Sequence, residues 1–81
     1  MARLEVRNIR EDEIAGYLVA EMDGVARDGS VDGDGWRVRF SRGETAAIGS
    51  FRVPVLFIDV EGPREAELVA FLRRRTMRGG G

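Results

Sequence analysis

The fold is decided by residues 48–62, which read IGSFRVPVLFIDVEG. This stretch joins a Gly-Ser turn, a nearly continuous apolar strand over residues 53–60 and the start of the last helix. A strand without simple alternation of apolar and polar residues is covered on both faces or lies centrally in its sheet. Because Pro54 has no N–H to donate, we expect the first half of the strand to lie at an edge or a bulge.

The chain before this stretch begins with a strand and a helix. Residues 4–9 alternate strictly and predict a first strand with one wet face. Apolar side chains then recur every four residues and predict an amphipathic helix, with a stripe formed by Ile14, Leu18 and Met22. We expect Asn8 or Asp12 to cap this helix and Gly24 to end it. Gly16, inside the helix, would let it approach the sheet closely.

Residues 25–35 contain three glycines and three aspartates and predict a short, weak strand followed by a hairpin turn at residues 32–35. The spacing of Asp32 and Asp34 is faintly similar to a calcium loop. An EF-hand loop needs a Glu at its twelfth position, and counting from Asp32 that position is Gly43. The hairpin is therefore the better interpretation.

The second half of the chain supplies another strand and the last helix. Residues 36–40 alternate again and predict a strand with core-facing Trp36, Val38 and Phe40. Pro63 is expected at the first position of the last helix, where its missing N–H costs nothing. The predicted inward face of that helix consists of Leu68, Val69 and Leu72, with Phe71 at its border.

The resulting order is β-α-β-β-(β)-β-α. It predicts an α+β domain of two layers, in which a curved, mostly antiparallel sheet of about four to five strands carries two helices on one face. We expect this single domain to span residues 1–78, with a flexible glycine tail over residues 79–81.

The composition narrows the classes of function. The 81 residues include no Cys and no His, which removes thiol catalysis, a Ser-His-Asp triad and the usual zinc ligands. A net charge of −1 gives no bulk attraction to nucleic acid or to anionic membranes. The apolar runs are far shorter than the roughly 20 residues that a membrane helix needs. We therefore expect a cytoplasmic, non-enzymatic protein without a cofactor, and with neither nucleic acid nor membrane as partner.

The C-terminal glycines, residues 79–81, are the first candidate site. Small sulfur-carrier and ubiquitin-like proteins end in Gly-Gly, and their terminal carboxylate is adenylated and converted to a thiocarboxylate. This chemistry needs a tail without side chains that can thread into an activating enzyme, which glycine provides. In those proteins the tail leaves a strand, whereas here it leaves a helix, so a frayed terminus is the competing interpretation.

Two charged groups are the other candidates. Arginine clusters can bind phosphate or nucleic acid, and this chain has such residues at Arg37, Arg39, Arg42, Arg52, Arg73, Arg74, Arg75 and Arg78. Paired carboxylates can perform acid–base chemistry, and the acidic set is Asp59, Glu61, Glu65 and Glu67. Nearby acidic residues balance the arginines, and acidic residues are common at a strand end and a helix start. Both groups are therefore better explained as solvated surface.

Several features together resemble a known family. They are the Gly-Ser turn, the strand with an early proline that ends in Val-Glu-Gly, the acidic last helix, the closing Arg78-Gly79-Gly80-Gly81 and, upstream, the strand 36–40. They resemble the C-terminal domain of MoaD-related proteins, which in fused members follows a ubiquitin-like domain similar to the small subunit of molybdopterin synthase. The resemblance implies a curved antiparallel sheet with two helices, similar to the TATA-binding-protein-like or helix-grip group.

The resemblance and the tail together predict an accessory or carrier domain linked to molybdopterin or sulfur-transfer metabolism. In this interpretation Gly81 is the attachment point, and Gly79 and Gly80 form the thread. Arg78 would steer the tail into an acidic groove of an adenylating enzyme or a MoaD-like partner.

The alternative is a different class, a small ligand- or protein-binding module. A curved sheet that grips a helix can leave an apolar pocket, here lined by Trp36, Phe40, Phe51 and Phe57. Core packing is the more ordinary use of each of these side chains. An exposed strand edge near Val25 or Pro54 also predicts a homodimer.

Overall fold

The computed structural model describes residues 1–7, 9–43 and 46–76. The elements in chain order are β1 (Ala2–Arg7), α1 (Glu11–Met22), β2 (Val25–Arg27), β3 (Ser30–Gly33), β4 (Trp36–Arg42), β5 (Ala46–Ile48), β6 (Phe51–Val53), β7 (Val55–Glu61) and α2 (Glu65–Thr76). The predicted α+β class is confirmed. The main sheet has five antiparallel strands in the order β1-β7-β4-β3-β2, and β5 and β6 form a separate antiparallel pair.

Strand β7 lies inside the sheet, as its apolar sequence predicts. It pairs with β1 on one side and β4 on the other, so that Ile58 lies opposite both Leu4 and Phe40. The strand nevertheless alternates: Ile58 and Val60 are fully buried, whereas Phe57 and Asp59 are only half-buried on the other face. Of the two arrangements that the sequence predicted, the central position in the sheet is confirmed. The strand is not fully covered on both faces, because the helices pack on one face only.

Pro54 divides the predicted long strand into β6 and β7. Proline cannot donate a ladder hydrogen bond, which explains the break at this exposed position. Immediately after it, the Val55 carbonyl accepts a hydrogen bond from the Gly43 N–H at 3.0 Å. The expected irregularity in the first half of the stretch is therefore confirmed.

Both helices pack on the same face of the sheet and complete one core. The buried apolar cluster consists of Leu4, Val6, Ile14, Leu18, Val31, Trp36, Val38, Leu56, Ile58, Val60, Leu68, Phe71 and Leu72. Burial of such a side chain contributes roughly 1.5–3 kcal/mol. On α2, Phe71 is buried, with 6% of its surface exposed, whereas Val69 is only partly buried. The sequence predicted the reverse, with Val69 on the inward face and Phe71 at its border, and was wrong for these two residues.

The ends of α1 differ from the expected caps. Arg10 occupies the N-cap position without a side-chain capping bond, and Asp12 lies in the first turn; Asn8 is outside the described residues. At the other end Asp23, not glycine, adopts the left-handed conformation with φ 56°, which Asp tolerates better than most residues. Gly16 is exposed, and a Cβ added to it would meet nothing within 4 Å, so the close approach expected there was wrong.

Two tight turns replace the one predicted between residues 25 and 36. Strand β3 extends to Gly33, and the second turn is formed by Asp34 and Gly35. This turn anchors the start of α2, because the Arg64 N–H donates to the Gly35 carbonyl at 2.9 Å and the Arg64 side chain to the Asp34 carbonyl at 3.0 Å. Because α2 begins at Glu65, Pro63 lies in the turn before the helix. The expectation that it occupies the first helical position was wrong.

Candidate functional site

Helix α2 runs alongside β1 and ends beside that strand's far end. At the start of the helix, the Met1 amino group lies 2.6 Å from the Glu65 carboxylate. At its end, a groove of about 290 Å³ is lined by Leu4, Glu5, Val6, Arg7, Ile9, Arg73 and Thr76. The last turn of α2 therefore lies beside the edge of the sheet that β1 forms. The predicted carrier residues Arg78, Gly79, Gly80 and Gly81 lie outside the described residues.

The last turn of α2 is positively charged, as suits the negative end of a helix dipole. Arg75 is fixed, since it pairs with Glu21 and its guanidinium lies 5.6 Å from the Phe71 ring centroid. Arg73 and Arg74 are exposed and have no ion pair among the described residues. We call Arg73 and Arg74 the basic exit, because they lie in the last turn of α2, the final element of the described chain.

The four aromatic residues predicted to line a pocket do not come together. Trp36 is 4% exposed within the core, and Phe40 packs against the same core. Phe57 points to the opposite, open face of the sheet, where the Arg3 guanidinium lies 5.0 Å from its ring centroid. Phe51 belongs to the separate β5–β6 pair. Because Trp36 and Phe57 face opposite ways, they cannot share one cavity.

Trp36 has a feature that the sequence did not reveal. Its indole covers Gly33 so closely that a Cβ there would lie 2.0 Å from the ring. The buried indole Nε1–H has no acceptor among the described residues. Trp36 borders an open depression of the surface, lined by Asp32, Gly33, Gly35, Trp36, Arg37, Glu61, Gly62 and Pro63. An acceptor oxygen, such as that of a water molecule, would satisfy this donor.

Ion pairs hold the acidic side chains of the open face. Asp59 accepts two hydrogen bonds from Arg3, at 2.7 and 3.1 Å. Asp32 accepts from Arg27 at 2.6 Å and from Arg37 at 2.7 Å. These hydrogen bonds lower the pKa of both carboxyl groups below the ordinary value of 3.8. Asp32, one of the two aspartates of the calcium-like spacing, is thus bound by two guanidinium groups.

The remaining acidic candidates lie apart from one another. Glu61 is 3.8 Å from Arg39 on the sheet, whereas Glu67 pairs with Arg64 on α2 at 2.6 Å. No group of three or more acidic side chains is arranged to hold a metal ion within the described residues. In the same part of the chain, neither helix is long and apolar enough to cross a membrane.

The fold is that of a small α+β domain. Comparison with known families gives a match to archaeal MoaD-like proteins over residues 2–81. The chain belongs to this family, which confirms the predicted MoaD-related identity. Such proteins are small sulfur-carrier-like domains. No curated protein matches the chain.

Proposed function

We propose that this protein is a non-enzymatic carrier whose Gly81 carboxylate is activated and loaded with sulfur for molybdopterin or sulfur-transfer metabolism. The observation that supports this most is the extent of the family match, which runs to residue 81 and so includes Gly79, Gly80 and Gly81. The family relation extends through the tail, where the chemistry of a carrier takes place.

The proposed reaction needs an activating enzyme, ATP and a hydrosulfide donor. A Gly81 carboxylate oxygen attacks the α-phosphorus of ATP, which gives an acyl adenylate and releases pyrophosphate. Hydrosulfide then attacks the acyl carbon, the C–O bond to AMP breaks, and a thiocarboxylate, AMP and a proton are formed. Glycine suits this role because it has no Cβ and adopts backbone conformations closed to other residues.

The proposal uses two further features of the chain, the length of the tail and the positive charge near its start. Five residues follow Thr76, and an extended chain of that length reaches about 17 Å. The basic exit lies at the root of this tail, and Arg78 follows within it. Positive charge here would orient the tail toward an acidic groove of the activating enzyme and accelerate encounter.

Intact-mass spectrometry tests the carrier proposal. The protein is incubated with an adenylating enzyme of its own host, ATP and sulfide. Exchange of oxygen for sulfur adds about 16 Da, and fragmentation should assign the gain to Gly81. The controls omit ATP or use a chain that lacks Gly80 and Gly81. An unchanged mass in the complete reaction, with no ATP-dependent release of pyrophosphate, would refute the proposal.

The basic exit is tested by the rate of adenylation. We expect Arg73→Ala/Arg74→Ala to lower kcat/KM by about threefold to tenfold at low salt and less at high salt, because exposed charges are screened. Arg27→Ala/Arg37→Ala is a control that removes the same two charges from β2 and β4, where both side chains are exposed. If the control lowers kcat/KM as much as the double variant, the basic exit has no specific role.

A further inference from the structure

Strand β1 forms a long, regular edge of the main sheet. Its six residues pair with β7 without a bulge, from Ala2 opposite Val60 to Arg7 opposite Val55. In the described sheet order β1 has no neighbour on its other side. Such an edge presents a row of backbone donors and acceptors that can pair with another strand. The opposite edge, β2, has only three residues.

The charges on β1 are complementary to a second copy of β1. Arg3, Glu5 and Arg7 point to the open face, whereas Leu4 and Val6 are buried on the core face. In an antiparallel pair, directly opposite residues lie on the same face of the sheet. With a twofold axis at Leu4, Arg3 of each copy lies opposite Glu5 of the other.

Neighbouring registers lack this complementarity. An axis at Glu5 places the two Glu5 carboxylates opposite each other and Arg3 opposite Arg7. An axis at Arg3 places the two Arg3 side chains together. Like charges directly opposite are destabilising, whereas opposite charges stabilise the pair. The charge pattern therefore selects the axis at Leu4.

In the selected register, a row of alternating charges that already crosses the sheet extends into the second copy. Arg39, Asp59 and Arg3 lie in one row on three adjacent strands, and Arg3 binds Asp59 through two hydrogen bonds. Glu5 of a second copy would come next, which gives a row of alternating charge. On the core side, Leu4 would lie opposite Leu4 beside the groove.

We propose that β1 is a homodimer interface in which two copies pair antiparallel about Leu4 and join two five-stranded sheets into one. The paired segment is residues 2–6, with Ala2 opposite Val6. The inference does not rest on the proposed function. It places the dimer contact on β1, whereas the sequence predicted it near Val25 or Pro54.

Sedimentation equilibrium from micromolar to millimolar protein tests the interface. We expect Glu5→Arg and Arg3→Glu each to raise the dimer Kd by about tenfold or more, since two ion pairs become two repulsions. An equimolar mixture of the two variants should dimerise again, because their reversed charges complement each other. Arg27→Glu makes the same charge change on β2, at the opposite edge of the sheet, and should leave Kd within about twofold.

Three outcomes overturn the proposal: a wild-type monomer at millimolar concentration, a failure of the mixture to dimerise, or an equal effect of Arg27→Glu. The register has its own test, because the chain has no cysteine. Opposed Cα atoms in a sheet are about 4.5–5.5 Å apart, within the range of a disulfide. Leu4→Cys should therefore cross-link two copies fastest. Faster cross-linking of folded Arg3→Cys or Glu5→Cys would refute the axis at Leu4.

Discussion

Two glycines near helix α1 should respond in opposite directions to the same substitution. Gly16 lies in the interior of the helix on its exposed side, and an added Cβ would meet nothing within 4 Å. Alanine has a higher helix propensity and restricts the unfolded chain more than glycine does. We therefore expect Gly16→Ala to raise the free energy of unfolding by about 0.5–1 kcal/mol.

Gly24, just beyond the helix, has no such room. A Cβ there would lie 2.6 Å from Val31 Cγ1 and 2.8 Å from Trp36 Cη2. Val31 is fully buried and Trp36 is 4% exposed, so neither side chain can move into solvent. Overpacking of a filled core costs typically about 1–3 kcal/mol, and we expect Gly24→Ala to lower the free energy of unfolding by this amount.

Urea and thermal unfolding followed by circular dichroism measure both effects. In a domain of this size, 1 kcal/mol corresponds to a shift in Tm of about 4–8 °C. Gly16→Ala should raise Tm by a few degrees, and Gly24→Ala should lower it by about 4–24 °C at the extremes of these ranges. Protein concentration must be held constant, since a dimer would make Tm concentration-dependent. A Gly24→Ala variant as stable as wild type would refute the packing of the helix end against β3 and Trp36.

Two further predictions concern the open face and the turn before α2. Because the hydrogen bonds from Arg3 lower the pKa of Asp59 in the folded state, their stabilisation is present above the carboxyl's unfolded pKa and is lost as the pH falls through the folded value. Urea midpoints from pH 7 to pH 2 should thus fall less steeply for Asp59→Asn than for wild type; identical slopes would contradict this. Gly62 has φ 114°, and its Cβ would lie 2.6 Å from the Gly35 carbonyl oxygen, whereas Gly29 has φ 77° with open space. Gly62→Ala should therefore cost more than the roughly 1–2 kcal/mol expected for Gly29→Ala, as measured by urea unfolding, and equal costs would show that the contact is absent.

Elements with a clear hydrophobic period could be predicted from the sequence. Strand β1 and strand β4 alternate in residue type, and Leu4, Val6 and Val38 are buried as that alternation requires. The stripe containing Ile14 and Leu18 likewise predicts α1 and its buried face. These patterns are local, since each side chain's direction follows from its position in one strand or helix.

The outward face of β7 could not be predicted, because its exposure depends on residues far away in sequence. Phe57 looks like a core residue, but β1 places Arg3 over its ring at 5.0 Å. A guanidinium above an aromatic face covers apolar surface while its charge stays in water. Strand β3 could not be predicted for a related reason. Its sequence is rich in glycine and aspartate, which are typical of turns, and it becomes a strand by pairing with β4.

The candidate site was predictable in composition but not in position. The glycine tail and the arginines before it are visible in the sequence. That the helix end lies beside the β1 edge depends on the packing of Leu68, Phe71 and Leu72 into the core. The separation of Trp36 from Phe57 is also a tertiary result, since it follows from which face of the sheet the helices cover.

The position of the end of α2 makes the carrier proposal and the dimer proposal compatible. Helix α2 runs alongside β1, and its last residues Arg73 and Thr76 line a groove that extends along β1 from Leu4 to Arg7 and on to Ile9. Because this groove lies toward one end of β1, antiparallel pairing about Leu4 places the two helix ends at opposite ends of the interface. Charge reversal at Glu5 should then weaken dimerisation without preventing sulfur loading, so each proposal can fail without the other.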